Sequence, residues 1–135
     1  MTYTQYVSLY LITVPLVALL DLLWLGFLAK DFYQTKLAYI LGPIQWPAAI
    51  IFYFMYAAGI VFFAVAPALP TGSFIKVVAI GCLLGFFAYA TYDLTNWATI
   101  KDWPVRVVIV DILWGTFLTG SVAAISYCIG KHFIL

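Results

Sequence analysis

Glutamate is absent from these 135 residues, and aspartate, lysine and arginine together make up only 8% of them. A soluble domain carries about 25% charged residues, so a chain this short and this poorly charged is not built to face water. Histidine is nearly absent as well. The one copy, His132, stands near the C-terminal end and reads as an interfacial residue, which excludes a haem or zinc ligand set. Cysteine is scarce: Cys82 and Cys128 both lie in apolar runs, with no C-x-x-C spacing. They read as inert buried thiols rather than a disulfide or a metal site. No P-loop, H-E-x-x-H or G-x-S-x-G string occurs. No lysine falls in the middle of an apolar run, which excludes a retinal-type Schiff base. A net charge of +1 without a basic patch argues against a nucleic-acid partner. Neither a cofactor nor a metal ion is expected.

Apolar surface is what the chain has in excess. Hydrophobic residues make up 67% and the mean hydropathy is +1.12, so the solvent must be a lipid bilayer. A helix crosses a hydrocarbon core of about 30 Å with about 20 residues. Four runs reach that length, at about 6–28, 47–66, 75–98 and 105–129. The first does not read as a secretory signal: Met1 to Tyr10 hold no basic residue, no A-x-A-like site follows, and Asp21 interrupts its later part. Pro15 within it is expected to bend the helix or to sit beside a polar neighbour such as Thr13. Trp46-Pro47 opens the second run, with proline in the first turn, where a missing N–H costs nothing. Between these two runs, residues 32–44 carry Leu37, Ile40, Leu41 and Ile44 at spacings that fit a short helix lying in the interface. Ser73 stands where it can cap the third run. Gly81 and Gly85 in that run, and Gly115, Thr119 and Ala123 in the fourth, allow close helix approach within the chain or between chains. With short links, these elements predict an all-α integral membrane four-helix bundle, up-down-up-down, in a single transmembrane domain over residues 1–135.

Loop charge sets an orientation. Lys30, Lys36, Lys101 and Arg106 flank the first and third connections, against Lys76 and Lys131 on the other side. The positive-inside rule then puts both termini outside the cytoplasm. The two halves also resemble each other. Asp21 to Trp24, then Lys30-Asp31, then Trp46-Pro47 parallels Asp93 to Trp97, then Lys101-Asp102, then Trp103-Pro104. This reads as two repeated helical hairpins related by an axis along the membrane normal. Trp24 and Trp97 are offset by one residue, so a chance likeness stays open.

Three aspartates stand inside the apolar runs. Asp21 precedes Lys30 by nine residues, Asp93 precedes Lys101 by eight, and Asp111 follows Pro104 by seven. At about 1.5 Å per residue, each lies roughly 10–13 Å inside the same membrane face. Tyr53 and Tyr56 of the second run fall near that depth. Tyr89, Asn96 and Trp97 lie four before, three after and four after Asp93, and are expected to project with it. Trp24 and Trp114 each follow an aspartate by three. A charge facing lipid is costly, so the acids should converge inside the bundle. Carboxylates crowded together repel, which suits proton or cation binding, and tryptophan and tyrosine faces attract cations. Asp21, Asp93 and Asp111 are therefore the candidate ion- or proton-binding groups, Asn96 a hydrogen-bonding ligand, and Trp24, Trp97, Trp114, Tyr53, Tyr56 and Tyr89 the walls.

The strings Leu20-Asp21-Leu-Leu-Trp24-Leu-Gly26, Tyr89-Ala-Thr-Tyr92-Asp93-Leu-Thr-Asn96 and Val110-Asp111-Ile-Leu-Trp114-Gly115-Thr116 resemble a family of small bacterial predicted membrane proteins, catalogued as domain of unknown function 2177. The resemblance covers essentially the whole chain. It implies a four-span protein of the bacterial inner membrane and brings no activity with it. The leading expectation is a protein that binds a proton, a cation or a small cationic or amphiphilic ligand at this cluster, as a transporter or channel-like homodimer. Two other readings stand beside it: an intramembrane acid/base enzyme acting on a lipid, quinone or isoprenoid, and a non-catalytic accessory subunit whose aspartates hold helices together.

Overall fold

Long apolar runs leave a backbone in lipid with no partner but itself, so helix is the outcome. The computed structural model, which describes residues 1–135, has five helices and no strand. They are α1 (Tyr3–Leu28), the short α2 (Lys30–Lys36), α3 (Trp46–Thr71), α4 (Phe74–Thr99) and α5 (Val105–Ile134). All but α2 are long and apolar enough to cross a membrane. Their outer faces carry large exposed apolar side chains, among them Phe27, Ile51, Phe87 and Leu113.

Local chemistry sets the ends. Thr2 and Gln5 form a reciprocal capping box at the start of α1, with bonds of 2.7 and 3.2 Å. Ser73 accepts the Lys76 N–H at 3.2 Å and caps α4. Pro47 occupies the first turn of α3. Between α3 and α4 the chain turns through Gly72 at φ 64°, a left-handed conformation that suits glycine. The turn from α4 to α5 uses the same region at Asp102, φ 59°, one of the few residues besides glycine that tolerate it. Three helices contain a turn of π-helix, at Trp24–Leu28, Val61–Val65 and Gly130–Ile134. Such turns insert one extra residue and re-aim the side chains beside them.

The helices pack antiparallel, and the α4–α5 pair is the tightest. Glycine is the reason. A Cβ on Gly85 would stand 2.2 Å from the Gly115 carbonyl oxygen, and one on Gly81 would stand 2.8 Å from the Ala123 Cβ. Small residues at four-residue spacing thus bring the two backbones together. Helix α1 packs on α3 and α5, and α3 meets α4 around its π turn, so α1 and α4 occupy opposite corners. At the end holding both termini, Thr13 and Ser126 share a buried hydrogen bond of 2.9 Å. The other half of the bundle is where the polar chemistry collects.

In the segment after α1, the helix stops short of Leu37, Ile40, Leu41 and Ile44. Helix α2 ends at Lys36, and Leu37 turns inward to pack with Trp103, Val107 and Val108. Ile40, Leu41 and Ile44 remain exposed. One apolar side chain in the core and three facing out make this segment a partial cover over that end of the bundle.

Candidate functional site

The site begins at Asp21, which α1 carries into the bundle at 5% exposure. Its two oxygens are served by separate helices. Tyr53 of α3 donates to Oδ2 at 2.7 Å, and the Trp114 indole of α5 donates to Oδ1 at 3.1 Å. The Trp114 ring stacks on Trp24, with centroids 4.5 Å apart and planes 6° from parallel. Trp24 lies at the first residue of the π turn that ends α1, and its indole N–H donates to the Tyr33 hydroxyl at 3.1 Å. Tyr33, on α2, in turn donates to Asp111 Oδ1 at 2.8 Å. A chain of neutral donors therefore links α1, α2 and α5 and ends on a carboxyl that is itself only 8% exposed. Burial pushes the Tyr33 hydroxyl above its ordinary pKa, and the adjacent charge of Asp111 pushes it the same way, so Tyr33 remains a neutral donor.

Between these groups lies a cavity of about 410 Å³. Asp21 and Asp111 supply its carboxyls, and Tyr33, Tyr56, Tyr89 and Tyr92 its phenols. Leu25, Leu37, Phe52, Ala88, Trp103 and Val107 complete the wall. All four long helices contribute. No lysine, arginine or histidine lines it, so the two carboxyls face one apolar and aromatic space with no basic partner. Tyr89 can lie against α5 because Gly115 has no side chain; a Cβ there would be 2.1 Å from the Tyr89 ring. Tyr56 is held by Thr119 at 2.7 Å and meets the Tyr89 ring edge-on.

Tyr53 buttresses the site from behind Asp21, and the Trp24–Trp114 stack braces it. Asp93 is fully buried at 0% exposure, beside Asp111 but outside the cavity lining. Asn96 lies half-buried next to Tyr92. Trp97, 49% exposed, faces outward. Cover on this face of α4 therefore falls off from Asp93 towards Trp97 at the helix end. Helix α4 packs chiefly on α5 here, and one neighbour does not cover an indole at the helix end. Sequence reasoning missed, as site residues, Tyr33 of α2 and Leu37 just past its end, which close the cavity. Their signal is a four-residue spacing that puts both on one face of a short helix.

A model of the family described as "Predicted membrane protein (DUF2177)" matches residues 6–128 of this chain. The chain belongs to that family. No curated protein and no solved structure matches it. Membership and the four apolar helices make it a multi-pass membrane protein with the bilayer as its surroundings. Asp21, Asp93, Asp111 and the aromatic residues around them all lie inside the matched segment.

Proposed function

We propose that this protein binds a small cationic amphiphile within the bacterial inner membrane and moves it across. The observation that supports this reading most is the cavity of about 410 Å³, which combines two carboxyls with no basic side chain. Sites for small molecules are mostly apolar, of about 300–1,000 Å³, with a few converging polar groups. Here the polar groups are anionic, so the complementary ligand has a cationic head. Asp21 and Asp111 attract that head, and the tyrosine faces add cation–π attraction. The apolar tail lies along Leu25, Phe52 and Val107. The charge bias of the loops puts Lys30, Lys36, Lys101 and Arg106 on the cytoplasmic side and both termini on the other. Four helices leave little room for a continuous path, so the transporting unit is a homodimer.

Uptake of octyltrimethylammonium into proteoliposomes tests this reading. The protein should support uptake driven by a proton gradient, and Asp21→Asn should reduce it by at least about tenfold, the loss expected when a charge pair worth about 1.4 kcal/mol is removed. Uptake equal to that of empty liposomes rejects transport. A second reading is acid/base chemistry on an apolar substrate, which the phenols and carboxyls sharing one cavity favour. It calls for turnover of a membrane lipid extract in detergent, with no gradient, and for its loss in the same variant.

A further inference from the structure

Donor accounting separates the three acids. Asp21 receives two hydrogen bonds, from Tyr53 and Trp114, and Asp111 receives one, from Tyr33. Asp93 receives none: it is 0% exposed, and neither of its oxygens has a donor from the protein. An ionised carboxylate is acceptor-only and needs donors; a protonated one supplies a donor of its own.

The packing of α4 on α5 says where that donor points. The two helices run antiparallel in a fixed register. A Cβ on Gly81 meets Ala123, one on Gly85 meets Thr119, and one on Gly115 meets Tyr89. Each step of four residues along α4 matches a step of four back along α5. The next step sets Asp93 opposite Asp111. The groups facing this pair are Tyr89, Tyr92 and Asn96 of α4, Tyr33 of α2 and, across the cavity, Asp21 of α1. None is a cation. Two ionised carboxylates buried side by side here would leave charge that nothing in the protein offsets.

We propose that Asp93 and Asp111 form a one-proton acid pair: Asp93 carries the proton and donates it to Asp111, whose other hydrogen bond comes from Tyr33. The pair is a proton-binding site behind the cavity wall. Asp111 belongs to both pair and cavity, which couples the two. A cation arriving at Asp111 from the cavity supplies the positive charge that the buried pair lacks. Asp93 can then ionise, and its proton leaves to water as the cation enters. Charge in the site is unchanged by the exchange, one cation for one proton. This coupling rests on the proposed ligand reading; the proton site itself does not.

Two readouts keep them apart. Infrared spectra of the protein in nanodiscs at neutral pH should contain the carbonyl-stretch band of a protonated carboxylic acid, and Asp93→Asn should remove it. The amide is close in size to the acid and can still donate to Asp111, so the fold should persist. Absence of the band from the unaltered protein, or its survival in Asp93→Asn, overturns the proton site. If Asp93→Asn does not fold, Asp111→Asn serves: the band should shift as the acid loses its carboxylate acceptor, and an unmoved band overturns the pairing. The second readout adds octyltrimethylammonium, which has no proton to lose, to weakly buffered protein with a pH indicator. Binding should acidify the solution in the unaltered protein and not in Asp93→Asn. Binding without acidification overturns the coupling. An acid band that disappears in Asp93→Asn, together with no binding, sinks the ligand reading and leaves the proton site standing.

Discussion

At the scale of single residues, the site is an exercise in supplying donors to buried carboxyls. Each of Tyr53, Trp114 and Tyr33 contributes one hydrogen bond to an acid, and a hydrogen bond to a charged group is worth about 1.5–3 kcal/mol. Tyr33 is the donor outside the spans. Its raised pKa has a definite sign. The folded protein favours the protonated phenol, so the stabilisation is fully present below the unfolded value of about 10 and is lost only as pH climbs towards the folded one. Alkaline titration followed by phenolate absorbance checks this. Tyr33→Phe should leave the absorbance gained between about pH 9 and 11 unchanged, because Tyr33 does not ionise there. A smaller gain in the variant would mean that Tyr33 titrates like a free tyrosine and is not held under Asp111. Tyr33 was also the residue the sequence concealed. Its neighbours Lys30, Asp31 and Lys36 mark a loop, and nothing in a loop's composition says that it folds back onto an acid some eighty positions away.

Among the elements, the α4–α5 hairpin determines the geometry. The spacing of Gly81, Gly85, Gly115 and Thr119 is readable as close helix contact, and these residues make that contact within the chain. Close approach has a testable cost. In Gly85→Ala the new methyl would meet the Gly115 carbonyl at 2.2 Å and Thr119 at 2.7 Å, and backbone cannot step aside as a side chain can. Overpacking of this kind costs about 1–3 kcal/mol. Gly59→Ala is the control, since a Cβ there meets nothing within 4 Å. Thermal unfolding in detergent should show Gly85→Ala lowered by several degrees and Gly59→Ala unchanged or raised. Equal midpoints would contradict the packing. The segment after α2 shows the limit of pattern reading. Leu37, Ile40, Leu41 and Ile44 look alike as a sequence, yet Leu37 packs against Trp103 and the other three stay outside. The difference comes from the shape of the bundle end, which periodicity does not encode.

For the molecule as a whole, the fold was legible because lipid allows so few solutions. Four apolar runs with short links could hardly become anything but helices, and Ser73 and Pro47 stand at helix starts for local reasons. Counting residues from the loops put three acids at one depth, but depth fixes only one coordinate. The rotation of each helix decides that Asp21 and Asp111 line one cavity, that Asp93 lies opposite Asp111, and that Trp97 faces out. For α4 and α5 that rotation is set by glycine contacts. The resulting molecule is hollowed around two acids in the half away from its termini, under a partial cover from α2 and Leu37. The central claim is that this hollow recognises positive charge. Calorimetric titration of the protein in nanodiscs with octyltrimethylammonium and with octanol tests it most directly, because the two share a tail and differ in the head. The cation should bind at least about tenfold tighter than the alcohol, and Asp21→Asn should reduce that preference. Equal binding of the two ligands, or a preference undiminished in Asp21→Asn, would contradict the account.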